Sequence, residues 1–240
     1  MSLGTAWALA ATAAAAGVLR GFTGFGGALV TAPVCTVLLG PAASLGTVVA
    51  VNLLTAWQML GASWRTMQRG LVLPMAGAAA VATPLGVAAV LWLEPELVRH
   101  LVGWAVVGSG LLLLVGWHRQ GPARLPGTLV VGVAGGVLNG LAGIGGPPAA
   151  LWLLAGDGGA ACDRAGLVIY VVLTQAATAA VAAGTGVLDR EALLRAVWLA
   201  PLYMVGTWGG AALFRRAPER LFRVVAVWTV LVLGAVAAVR

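Results

Sequence analysis

The chain has 240 residues, of which 61% are hydrophobic and 9% charged, with a net charge of +7 carried by 14 arginines and no lysine. Soluble domains carry about 25% charged residues, so this composition excludes a water-soluble fold and points to a lipid bilayer. The arginines sit mostly between apolar stretches, where they read as topology signals rather than as a nucleic-acid surface.

In chain order, apolar segments are expected at 3–19, 28–39, 44–62, 71–93 and 97–117. A polar linker, His118-Arg119-Gln120-Gly121-Pro122-Ala123-Arg124, follows. Further segments are expected at 127–139, 147–155, 165–183, 192–214 and 221–239. Lipid offers no hydrogen-bond partner, so each segment is expected to satisfy its own backbone as a helix. A full crossing of ~30 Å takes about 20 helical residues. The segments at 28–39, 127–139 and 147–155 hold only about 9–13 and are predicted as half-helices of re-entrant hairpins or broken helices. Segment 3–19 lacks the basic start of a signal peptide and reads as mature structure.

An internal repeat organises these segments. Gly17-Val18-Leu19-Arg20-Gly21-Phe22-Thr23-Gly24-Phe25-Gly26-Gly27 aligns without gaps on Gly136-Val137-Leu138-Asn139-Gly140-Leu141-Ala142-Gly143-Ile144-Gly145-Gly146. The offset is 119 residues, and seven of the eleven positions are identical. Leu54-Thr55 falls on Leu173-Thr174 at the same offset. The expected architecture is therefore all-α and polytopic, with a first repeat at 1–117, a linker at 118–126 and a second repeat at 127–240. About five segments per repeat, an odd number, invert the second repeat in the membrane, as in many secondary transporters. With the N-terminus outside, the inner loops hold Arg65, Arg69, Arg119, Arg124, Arg164, Arg215, Arg216, Arg220 and Arg223. The outer ones hold Arg99, Arg190, Arg195 and Arg240. This asymmetry predicts both termini outside.

The Gly-rich breaks are the first candidate site. Gly24, Gly26 and Gly27, with Gly143, Gly145 and Gly146, permit irregular backbone, which survives in a membrane only inside protein or beside a wet cavity. A half-helix starting after such a break aims free N–H groups and a positive dipole end at it. Two breaks meeting near the midplane would favour an anion. The competing reading is close helix packing through small residues. Arg20, with Thr23 beside it, is the one charge embedded in the motifs, and its repeat partner is Asn139. It reads either as an oxyanion ligand or as a helix-end arginine on lipid phosphate.

Two uncharged stripes come next. Asn52, Thr55 and Gln58 recur every three residues; Tyr170, Thr174 and Thr178 recur every four, with Gln175 adjacent. Each reads as part of a permeation path or as interhelical hydrogen bonding. No Asp or Glu lies inside an apolar segment, and Cys35 and Cys162 are far apart with no metal or redox spacing. No HExxH, CxxC, Walker-type or Ser/His/Asp pattern is present, so no enzyme activity, metal or cofactor is expected.

The first motif, Gly21 to Gly27 followed by Pro33 and Gly40, resembles the first half of the sulfite exporter TauE/SafE family. Gly140 to Gly146 followed by Pro147-Pro148 resembles its second half. The resemblance spans about residues 10 to 235. It implies a bacterial inner-membrane permease for small anions such as sulfite, sulfonates or other sulfur-containing organic anions. The expected partners are a small anionic substrate and the lipid bilayer, with no nucleic acid; a homo-oligomer is compatible with the sequence. An anion channel of the same architecture and a non-transporting membrane partner protein stay open as alternatives.

Overall fold

The computed structural model describes residues 3–94, 96–98, 100–101, 104, 108, 111, 121 and 123–239. The expected segment 97–117 and the linker 118–126 lie largely outside the described residues. Among the described residues the chain is helical and carries no strand. The first half holds α1 (Leu3–Thr23), α2 (Gly27–Leu39), α3 (Pro41–Thr55), α4 (Trp57–Thr66) and α5 (Arg69–Trp92). The second holds α6 (Leu125–Ala142), α7 (Gly146–Leu154), α8 (Ala160–Gly184), α9 (Arg190–Arg216) and α10 (Glu219–Val239). Among the described residues, four helices, α5, α6, α8 and α9, are each long and apolar enough to cross a membrane, and α3 with α4 adds a bent pair, a fifth span if the two count as one. The surface is apolar, with Trp7, Trp57, Val81 and Trp92 exposed, while Arg20, Asn52, Asn139 and Gln175 are buried. That inside-out distribution suits a lipid solvent and a multi-pass membrane protein.

Two sequence expectations are corrected. Segment 127–139, expected as a half-helix, is the 18-residue α6, long enough to cross. Pro126 starts the helix early, where its missing N–H is harmless, and Asn139-Gly140 continue it because their polar and backbone groups are satisfied by neighbours rather than by lipid. Segment 44–62, expected as one helix, is α3 and α4 bent by 67°. At the break the Ala56 N–H bonds three residues back to Leu53 O (3.2 Å), while Asn52 O, four residues back, accepts from the Thr55 hydroxyl (3.4 Å) and Arg20 Nη1 (3.5 Å). The expected half-helices at 28–39 and 147–155 appear as α2 and α7, 13 and 9 residues long.

Packing crosses between the halves. The first helix of each half lies against the long fourth segment of the other: α1 on α9, and α6 on α5. Both pairs run parallel, as their glycine contacts show. A Cβ on Gly17 would overlap the Tyr203 carbonyl, and one on Gly21 the Thr207 carbonyl. At the matching repeat positions, a Cβ on Gly136 would overlap the Ala79 carbonyl, and one on Gly140 the Thr83 carbonyl. Gly86, Gly206 and Gly210 do the same from the partner helices. Without hydrophobic drive between helices in lipid, this backbone-to-backbone approach supplies the dispersion contact that holds each pair.

Adjacent glycines on α9 test this. Gly210 faces the α1 backbone, whereas nothing stands near a Cβ at Gly209. Gly210→Ala should lower stability by about 1–3 kcal/mol through overpacking, and Gly209→Ala should be neutral or stabilising by about 0.5–1 kcal/mol. Thermal melting in one detergent compares the two variants directly; equal melting points would contradict the packing.

Candidate functional site

Both breaks use the same backbone device. α1 and α6 end where Gly24 and Gly143 turn to φ 90° and 72°, a region that L side chains resist. Each donates its N–H back one turn, Gly24 to Arg20 O and Gly143 to Asn139 O, both at 2.7 Å. This is the left-handed helix C-cap. What then caps the following half-helix differs. In the first half the Thr23 hydroxyl accepts from Gly26 N (3.1 Å) and Phe25 N (3.4 Å). In the second half Ala142 stands at that repeat position and has no hydroxyl. There Asn139 Oδ1 takes over, accepting from Gly145 N at 3.2 Å.

Arg20, the repeat counterpart of Asn139, carries only donors and cannot take that capping role. Its guanidinium is buried, 2% exposed. Nη1 donates to Asn52 Oδ1 and reaches Thr55 Oγ1 at 3.4 Å. Nε and Nη2 make no hydrogen bond to a described residue, and no carboxylate of a described residue lies within 4.0 Å. The Tyr203 ring of α9 sits 5.7 Å from the guanidinium carbon, and its hydroxyl donates to Asn52 Oδ1 at 3.1 Å. That hydroxyl occupies the space a Cβ on Gly27 would need, so it covers the first turn of α2. A buried cation, a phenol and the N-terminus of a half-helix thus converge with only neutral ligands. Sequence reading missed Tyr203. The signal was there: it is one of only two tyrosines, set in the middle of an apolar helix.

The other predicted residues separate into groups. Asn139 donates to Thr178 Oγ1 (2.6 Å) and accepts from Gln175 Nε2 (3.3 Å), which also donates to Gly143 O (3.0 Å). This cluster ties the second break together and leaves Gln175 Oε1 buried without a partner. Thr174 back-bonds within α8 to Tyr170 O and Val171 O, and the Tyr170 hydroxyl lies against Gly135 of α6 without a hydrogen bond. Gln58, beyond the bend, donates to Met204 O at 3.3 Å and does not join Arg20. The two tips touch: Phe25 packs on Gly146, whose added Cβ would lie 2.8 Å from its ring.

The Arg20 cluster is closed on both sides. Toward the α9 C-terminus stand Phe22, Phe214 and Phe222, with ring centroids 5.4–6.5 Å apart. Arg164, expected in a loop, is instead on α8; it donates to the Gly21 and Phe22 carbonyls and stacks 4.3 Å from the Phe214 centroid. It thereby satisfies carbonyls that the end of α1 leaves open. Toward the α9 N-terminus, Leu9, Ala13, Val51 and Leu199 pack around Tyr203. Among the described residues no group of three or more His, Cys, Asp or Glu side chains could hold a metal ion.

A family model described as sulfite exporter TauE/SafE matches residues 9–237. No curated protein and no solved structure matches the chain.

The cluster has a stability signature. Asn52→Leu strands the guanidinium and the Tyr203 hydroxyl together and should cost about 1–3 kcal/mol or more, against about 1 kcal/mol for Tyr203→Phe. Because both bonds run through Asn52 Oδ1, the double variant should melt no lower than Asn52→Leu alone. Replacing Arg20 by Leu in the Asn52→Leu background should raise the melting temperature again by removing the stranded charge.

Proposed function

The chain belongs to the sulfite exporter TauE/SafE family, and from that premise we propose that it carries small anions across the bacterial inner membrane, with Arg20 as the central anion ligand. The substrates proposed are sulfite, sulfonates or related sulfur-containing organic anions. The observation that carries the reading is the charge balance at Arg20. A guanidinium in a lipid-enclosed core costs several kcal/mol unless an opposite charge or full hydrogen bonding offsets it. Asn52, Thr55 and Tyr203 supply neutral partners only, and Nε and Nη2 are left over. A planar oxyanion matches those two donors in a bidentate way. The first N–H groups of α2 add neutral donors beside it.

Alternating access of two inverted repeats, 1–117 and 127–240 joined by 118–126, is the proposed mechanism. Support comes from the reciprocal, parallel pairing of α1 with α9 and α6 with α5, as a two-fold relation between halves requires. Burial of Arg20 from both faces favours alternating access over a continuously open channel. Each face would open in turn as the glycine-lined pairs rock about the tips. Both termini are proposed to be periplasmic, on the strength of the arginine distribution.

Proteoliposome flux of sulfite, sulfonates, sulfate and carboxylates, with and without a pH gradient, tests substrate and coupling together. Saturable sulfite or sulfonate flux with counterflow is expected. Arg20→Gln should lower it by at least about tenfold, the loss of one or two charge-assisted hydrogen bonds. Unchanged flux in Arg20→Gln would end the ligand assignment, and flux without saturation or counterflow would favour a channel. Reporter fusions at both termini are expected to read periplasmic; cytoplasmic signals would reverse the orientation.

A further inference from the structure

α2 and α9 face each other along two four-residue stripes that run in opposite directions. On α2 the stripe is Gly27, Thr31, Cys35; on α9 it is Tyr203, Leu199, Arg195. At one end the Tyr203 hydroxyl lies over Gly27, beside Arg20. At the other, Arg195 is close enough for its charge to act on Cys35. Between them lies a cavity of about 10 Å³, lined mainly by apolar groups such as Leu9, Val48, Val51 and Leu199. Arg195 lies toward the membrane face where α1 and α9 begin, on the same α9 stripe as Tyr203. Arg195 and Tyr203 are two helical turns apart, about 12 Å.

Arg195 itself is not satisfied. Its Nη2 pairs with Glu191, one turn back on the same helix. Glu191 is 72% exposed, so this pair contributes little and opens readily. The Arg195 side chain is only 16% exposed, and Nη1 is buried with no hydrogen-bond partner. An arginine that merely anchors a helix in the interface keeps its head in water. This one holds a donor inside the protein, about two turns along α9 from the Tyr203 that packs beside Arg20.

We infer that Arg195 is a first binding site for the transported anion on the face where α1 begins, engaged before Arg20. The inference rests on the reading of Arg20 as the central ligand. The anion takes Nη1, and Glu191 yields Nη2 as the anion binds. Because the site serves one face only, its loss is felt from one side.

Sided flux measures this. Half-saturation is determined separately from each face of oriented proteoliposomes, with the anion that gives the largest flux in the screen above, sulfite being expected. Arg195→Gln should raise half-saturation from the α1-start face about tenfold, with less than about a twofold change from the other face. Arg195→Lys, which keeps the charge, should recover part of the loss. An equal change on both faces, or none on either, overturns the inference. Where Arg195→Gln does not fold, Glu191→Gln carries the test, since it frees Nη2. It should lower half-saturation from that face alone, and no change or a rise overturns the proposal. Arg20→Gln run alongside separates the two readings. If Arg20→Gln is inactive and Arg195→Gln behaves as wild type, only the Arg195 site falls. If Arg20→Gln keeps full flux, the central site falls and this one with it.

Discussion

Asn52 Oδ1 accepts from two donors, the guanidinium of Arg20 and the hydroxyl of Tyr203. That one oxygen holds a positive charge inside a fold whose outer solvent is lipid. Low dielectric strengthens each of these bonds and equally penalises any donor left over. Much of the surrounding architecture follows from placing that oxygen. α3 brings Asn52 and Thr55 up to Arg20, and the chain then bends away at Ala56 into α4. α9 delivers Tyr203 only because Gly27 has no side chain to block its hydroxyl. α1 lies close enough to α9 for this only because Gly17 and Gly21 let the two backbones touch.

The repeated motif therefore carries two functions in sequence. Its first two glycines pack, at Gly17 and Gly21 and again at Gly136 and Gly140. Its third breaks the helix, at Gly24 and Gly143. Close packing, one of the two readings the sequence left open, is what the structure shows at Gly17, Gly21, Gly136 and Gly140, while Gly24 and Gly143 turn the chain. The two breaks do meet, but through a phenylalanine: Phe25 seats on Gly146.

The halves share a scaffold and differ in chemistry. At the position of Arg20 the second half has Asn139, whose side-chain hydrogen bonds to described residues all brace the break. The difference traces to one neighbour. Thr23 Oγ1 accepts the Gly26 N–H, a task the donor-only Arg20 could not perform, whereas Ala142 has no hydroxyl and Asn139 accepts the Gly145 N–H instead.

Composition and apolar runs alone were enough to establish an all-helical membrane chain, because lipid leaves a backbone few other ways to satisfy its hydrogen bonds. The glycine repeat, legible at one register, marked both breaks, and the rarity of a charge inside an apolar run marked Arg20. Segment ends were not legible at 127–139, because hydropathy counts Asn139 as a loop residue when Thr178 and Gln175 satisfy it inside the protein. The bend at Ala56 was hidden for a related reason: Thr55 reads as one member of a polar stripe, and only the folded chain shows the helix turning there and parting Gln58 from Asn52. Tyr203, Arg164 and Arg195 lie more than 140 residues from Arg20 in the chain, and no spacing rule connects residues across that distance. Local physics determined the helices, the breaks and the buried charge. Which side chains answer that charge was decided by tertiary packing alone, because each hydrogen bond depends on helices that come together only when the two halves interlock.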